Sequence, residues 1–155
     1  MEFAQTLEED LSRRDFTVNA IAWHPLREEF RDPFQGRRDL EARLLRTVGD
    51  PGERFAEDYL RVLRGLRFSS RFRLRIEAGT WDALCAATGR LGILSRERVR
   101  EELMKLLAQD ARPSGGLALY QASGVLGVLY PELAAVAGNP RPGVDEDLWI
   151  HSLHL

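Results

Sequence analysis

The side chains best suited to chemistry lie between Glu57 and Arg71. Glu57 and Asp58 are followed at helical spacing by Arg61, Arg64, Arg67 and Arg71, with no further acid before Glu77. Wound at about 100° per residue, Tyr59, Val62, Leu63 and Leu66 fall on one side and the guanidiniums on the other, which predicts a single amphipathic helix. An Arg side of this density suits a polyanion. The carboxylates one turn before Arg61 add acceptors beside its donor fork, and such a pair can meet the edge of a planar base. Two other uses of these residues stand beside this one. A solvated charged face, with Glu57 to Arg61 as an i,i+4 ion pair of about 0.3–0.5 kcal/mol, is the plain one. A recognition helix of helix-turn-helix type is the other.

A second group precedes it. Arg13 and Arg14 stand before Asp15, with Asn19 four positions on, so that Asp15 and Asn19 share a face if the segment is helical. The two Arg residues can clamp phosphates while Asp15 and Asn19 exchange hydrogen bonds with a ribose hydroxyl. A surface ion pair explains the same residues.

Whole-chain properties narrow the classes. In 155 residues the net charge is −2, and Lys105 is the only Lys, so the basic character is local and carried by Arg. A near-neutral chain excludes a histone-like coat of nucleic acid but leaves room for a phosphate-binding strip. The single cysteine, Cys85, excludes an internal disulfide and fits a reducing compartment, where it packs as a small apolar residue. No apolar run is long enough to span a membrane, and Met1 to Asp10 is acidic rather than signal-like. A cytoplasmic protein without a membrane partner is expected.

The elements that must position these groups are read from the rest of the chain. A hairpin is expected within Ile21 to Phe34, with His24 as a turn residue. Gly36 is expected to supply a free backbone angle, and Asp39 to cap or brace the next element. A short helix over Leu40 to Leu45 and a short strand at Arg46 to Val48 precede a turn at Gly49 to Gly52. Phe72 to Ile76 is expected as a connector. Thr80 is the expected N-cap of a helix to about Leu91, and Ser95 that of the next, whose stripe is Val99, Leu103, Leu106 and Leu107. A further helix runs from Gly115 to about Leu129 and stops at Tyr130-Pro131.

Four strings carry a family resemblance. Arg13 to Ala20 resembles the R-R-D-F-T-x-N-A motif of the class II tRNA nucleotidyltransferase and poly(A) polymerase family. Asp32 to Leu40 resembles its D-P-x-x-G-x-x-D-L element, Glu57 to Arg64 its E-D-x-x-R-x-x-R element, and Ser95 to Leu103 its S-x-E-R-x-x-x-E-L element. The resemblance implies a mainly α chain: the end of a nucleotidyltransferase head over residues 1–50, a helical neck over 51–110, the start of a body over 111–137, and a linker with a possible HD-type segment over 138–155.

It further implies that Arg14, Asp15 and Asn19 contact the sugar and phosphates of an incoming CTP or ATP. Glu57, Asp58, Arg61 and Arg64 would read or brace the nucleotide, Asp58 and Arg61 through Watson–Crick-like contacts. Arg67 and Arg71 would face the 3′ end of the tRNA, while Glu97, Arg98 and Glu101 would brace the reading helix by ion pairs. The activity implied is addition of C and/or A to tRNA 3′ ends, or poly(A) synthesis, with Mg2+ in the complete enzyme. The family's first motif, a glycine-rich loop and the D-x-D strand that holds the metals, has no counterpart before Thr6. The chain alone is therefore expected to bind nucleotide and transfer nothing. Asp145-Glu146-Asp147 matches D-x-D only superficially, since it sits in an acidic loop where helix capping accounts for it. His151 and His154 lack the His-Asp dyad of an HD site. A non-catalytic helical RNA-binding or scaffold module is the alternative.

Overall fold

Backbone hydrogen bonding sorts the chain into short strands, the last at Arg75–Ile76, set among helices that dominate from Pro51 onward; the computed structural model describes residues 7–135. Helix α1 (Leu7–Ser12) ends in a turn that carries Arg13 and Arg14, and a single 3-10 turn comes next at Thr17–Asn19. Strands β1 (Ala22–His24) and β2 (Glu29–Arg31) pair antiparallel as the expected hairpin. Trp23 lies opposite Phe30, with ring centroids 4.6 Å apart. In the turn, the Arg27 amide donates to His24 Nδ1 at 3.3 Å, a local role for that imidazole.

Helix α2 (Gly36–Glu41) starts earlier than the expected Leu40–Leu45 helix, because the Asp32 carboxylate accepts from the amides of Gly36 and Arg37 at 2.7 and 3.0 Å. The left-handed backbone at its start belongs to Gln35, at φ 60°, and not to Gly36. Gly36 is required for a different reason, since a Cβ there would lie 2.0 Å from the carbonyl oxygen of Thr17. Asp39 does brace the region: buried, it accepts from Thr17 Oγ1 at 2.6 Å and from the Arg46 guanidinium, Nε at 3.1 Å.

Strand β3 (Leu44–Leu45) pairs in parallel with β4 (Arg75–Ile76), so the Phe72 to Ile76 connector is in part a strand. Arg73, at φ 55°, ends the preceding helix, and the alternation of Leu74 and Ile76 then has a partner about thirty residues back. The strand expected at Arg46 to Val48 contributes only an isolated bridge between Thr47 and Phe16.

Helix α3 (Pro51–Glu57) is capped by Asp50, which accepts from the Glu53 amide at 2.9 Å, and α4 (Leu60–Phe72) comes after it. The single helix expected from Glu57 onward is thus broken. Asp58 is extended (φ −155°, ψ 103°), and its Oδ1 accepts from the Leu60 amide at 3.0 Å, an aspartate competing with helical bonding. Helix α5 (Ala78–Ala87) is capped by Glu77 rather than Thr80, which is buried in the first turn and accepts from the Thr47 amide. A 3-10 stretch, Thr88–Ile93, leads to α6 (Arg96–Gln109), capped by Ser95 as expected. Within α6 the apolar stripe is narrower than the spacing suggests. Val99 and Leu106 are buried, Leu107 is 40% exposed, and Glu102, at 1%, is buried in its place. The expected helix to Leu129 is split by Gly124, at φ 82°, into α7 (Pro113–Ala122) and α8 (Val125–Leu129), before α9 (Pro131–Ala134).

Val62, Leu63 and Leu66 of α4 form the centre of the main core with Phe55, Leu84 and Leu106. Each such fully buried side chain contributes about 1.5–3 kcal/mol. A second cluster, Phe16, Leu45 and Leu74 with Phe68 packed against it, joins the β region to α4, with Phe16 and Phe68 edge-on at 6.0 Å. That seam fixes the Arg13–Asn19 segment against the Arg-bearing helix.

One cap carries a pH signature. The amides of Thr80 and Gly79 hold the Glu77 carboxyl below the ordinary carboxylate range. A depressed folded value means the stabilisation is complete above the unfolded value of about 4.3 and is lost as pH falls through the folded one. Glu77→Ala is expected to cost about 1 kcal/mol at neutral pH. Urea titrations across the acid range should show the wild-type advantage disappearing below that window.

Candidate nucleotide-binding cleft

An open cleft of about 260 Å³ is lined by Arg13, Arg14, Asp15, Asp58, Leu60, Arg61, Arg64 and Arg98. Five guanidiniums face two carboxylates there, an excess of positive charge that suits a polyphosphate. Larger hollows of about 480 and 470 Å³ lie beside α1 and between α6 and α8–α9, but neither gathers a comparable cluster of guanidiniums.

Asp15 is the pivot. At 7% exposure it accepts on Oδ1 from the Phe16 amide and from Asn19 Nδ2, both at 2.9 Å, and on Oδ2 from Arg64 Nε at 2.7 Å. Asp15 and Asn19 meet through a turn and a 3-10 step, not through the helical face the spacing suggests. Asn19 orients Asp15 and is not among the residues lining the cleft.

Arg61 ties the cleft together. Its Nη1 donates to Glu57 Oε2 at 2.5 Å and to the Arg54 carbonyl at 2.9 Å, and its Nη2 donates to the Arg13 carbonyl at 3.2 Å. The hydrogen bond from Arg61, with the charges of Arg54 and Arg61, holds the Glu57 carboxyl below its usual range. Glu57 therefore braces Arg61 from behind. Arg14 is held at the rim by Asp10, at 2.6 Å. Arg98 Nη2 donates to Asp58 Oδ2 at 2.8 Å, which supplies the expected brace from the Ser95 motif. The second brace comes from Glu102, whereas Glu101 pairs with Lys105 inside its own helix at 3.6 Å.

Arg67 departs from the expected strip. It is 6% exposed, and its Nε donates to the buried Glu102 at 2.7 Å, so its guanidinium serves the α4–α6 contact instead of facing RNA. Arg71 remains exposed, with Nη1 on Gln109 Oε1 at 2.5 Å. Sequence spacing does not single out Leu60 as part of the site, and the Ser95 motif, the signal that locates Arg98, implies only a brace for it.

The cleft does not fit a pair of magnesium ions. Asp15 faces Arg64 and Asp58 faces Arg98, so each carboxylate already meets a guanidinium, and among the described residues no group of three or more His, Cys, Asp or Glu converges. Asp145, Glu146, Asp147, His151 and His154 lie outside the described residues. No helix among the described residues is long and apolar enough to cross a membrane.

A short hairpin region is seamed to helices, with a guanidinium-rich cleft at the seam, as expected for the end of a nucleotidyltransferase head joined to a helical neck. Comparison with known proteins agrees. Residues 1–46 match the family described as "Poly A polymerase head domain", and residues 73–136 match "Probable RNA and SrmB- binding site of polymerase A". The chain is 45% identical over 143 residues to the Multifunctional CCA protein of Stenotrophomonas maltophilia, covering 89% of this chain and 34% of that one. It is 44% identical over 141 residues to the CCA-adding enzyme of Bacillus licheniformis, covering 90% and 34%. Among solved structures, the Thermotoga maritima CCA-adding enzyme complexed with tRNA superposes with a TM-score of 0.74 at 34% identity, covering 82% of this chain and 32% of that chain. A tRNA-processing enzyme with CTP gives 0.75 at 35%, covering 80% and 35%. The chain belongs to the class II tRNA nucleotidyltransferase and poly(A) polymerase family. It spans about a third of the length of the curated relatives it matches.

Proposed function

We propose that this chain is the nucleotide- and RNA-holding part of a template-independent nucleotidyltransferase that adds C and/or A to tRNA 3′ ends in the cytoplasm. The observation that carries this is the Asp15–Arg64 contact, which brings Arg13 and Arg14 into one cleft with Asp58, Arg61 and Arg64. Residues 1–50 act as the end of the head, 51–110 as the neck, and 111–137 as the start of the body.

Arg13, Arg14 and Arg64 meet the triphosphate, and Asp15, oriented by Asn19, serves the sugar. Asp58 offers acceptors to the exocyclic amine of cytosine or adenine. Two of its roughly four lone-pair sites are taken, by Arg98 and the Leu60 amide, so acceptors remain. Three of the five N–H donors of Arg61 are engaged, leaving two for the adjacent ring positions. Uracil and guanine present a carbonyl where Asp58 needs a donor, so they are disfavoured.

The magnesium that the family resemblance implies does not fit the carboxylates of this cleft, each of which already meets a guanidinium. Here the chain's own residues bind and orient. In a complete enzyme carrying these positions, Asp58→Ala is expected to lose about 1–3 kcal/mol of discrimination between CTP or ATP and UTP or GTP. Incorporation of all four nucleotides by that variant tests it. Unchanged selectivity would reduce Asp58 to a salt-bridge partner of Arg98. The alternative, a non-catalytic RNA-binding module, requires RNA binding with no nucleotide preference in the cleft.

A further inference from the structure

We propose that the C-terminal end of α4 is a stacking platform for an unpaired RNA base, with the Phe72 ring as its surface and Arg71 as its phosphate partner. The proposal rests on the RNA-binding function above and adds a place for the strand outside the nucleotide cleft. Arg64, Phe68 and Phe72 stand at i, i+4 and i+8, one line along the helix that begins in the cleft. At 1.5 Å per residue, Phe72 lies about 12 Å along the axis from Arg64, within reach of a strand whose 3′ end meets the nucleotide in the cleft.

Phe68 is half-buried, packed edge-on against Phe16 with the Arg64 and Arg67 guanidiniums 5.2 and 4.4 Å from its ring centre. Phe72 is more open. It is 50% exposed, 5.9 Å from Phe68, and the Arg71 guanidinium lies 5.2 Å from its ring centre, anchored by Gln109. Arg75 comes next on β4, exposed and without a carboxylate partner among the described residues. An apolar protein partner covering this ring would have to strip water from the neighbouring guanidiniums. A nucleotide needs no such loss, because its base stacks on the ring while its phosphate takes the cations.

The test is fluorescence anisotropy of the 155-residue chain with a labelled single-stranded RNA of about ten nucleotides ending in CC, alongside the same strand with abasic sugars. Phe72→Ala is expected to weaken binding to the base-bearing strand about tenfold. Phe72→Trp should retain affinity, which separates loss of the ring from misfolding. Wild type and Phe72→Ala should bind the abasic strand alike. Equal affinity of Phe72→Ala and wild type for the base-bearing RNA overturns the platform, as does a loss that persists on the abasic strand. A change of oligomeric state in Phe72→Ala with RNA binding unaltered would assign the ring to a protein contact and overturn it too. Failure of the wild-type chain to bind RNA while CTP still binds removes the platform and leaves the nucleotide cleft standing.

Discussion

Glu102→Ala is expected to lower the unfolding free energy by about 3–5 kcal/mol, because it strands the Arg67 guanidinium in the core without its anion. Arg67 and Glu102 are 6% and 1% exposed, and the 2.7 Å contact joins α4 to α6 at the level of the main hydrophobic cluster. Lys105, the second partner of Glu102 at 3.1 Å, is near the surface and loses little. The cost should therefore sit with Arg67. Replacing both residues, as Arg67→Met with Glu102→Leu, should recover most of the stability, since an apolar pair of similar volume carries no desolvation penalty. Chemical denaturation of wild type, Glu102→Ala and the double variant checks this. Glu102→Ala within about 1 kcal/mol of wild type would mean that the pair contributes little to the α4–α6 contact.

Gly36→Ala is the second large expected effect. A methyl group there would lie 2.0 Å from the Thr17 carbonyl oxygen and 2.9 Å from Ile21 Cγ1, and the first of these neighbours is backbone held by its own hydrogen bonds. Either α2 or the 3-10 turn must move. Movement of that turn disturbs Asn19 and the Asp15 orientation that depends on it. A loss of about 3 kcal/mol or more is expected, at the upper end of overpacking effects, with weaker nucleotide binding in whatever folds. Thermal unfolding together with CTP titration reads both. A stable Gly36→Ala protein with unchanged affinity would show that α2 is not what sets the turn.

Part of the fold was legible in the sequence because its signals are local. The Ser95 cap, the hairpin and the Val62, Leu63 and Leu66 stripe arise from short-range spacing, and the structure carries all three. The gathering of Arg13, Arg14, Arg61 and Arg64 at one cleft follows from the family motifs and not from spacing, because the two groups lie far apart in the chain. The features that stayed hidden depended on distant partners. Arg67 sits at the edge of the apolar arc of α4, and only Glu102, 35 residues on, decides that it turns inward. Strand β4 needed β3, and a strand of two residues has no periodicity to show. The break at Asp58 was hidden for the opposite reason. A strong helical pattern on both sides masked an aspartate whose side chain closes on the Leu60 amide.

The most direct measurement on the cleft is calorimetric titration of the 155-residue chain with CTP and with ATP at low and high salt, for wild type, Arg64→Ala and Arg75→Ala. The cleft predicts binding that weakens with salt, as expected for an open, screened site, and that falls at least tenfold in Arg64→Ala, which loses both a phosphate partner and the anchor of Asp15. Arg75→Ala, away from the cleft, should bind as wild type does. Equal affinity in Arg64→Ala and wild type, or equal losses in the two variants, would contradict a nucleotide site at the head–neck seam.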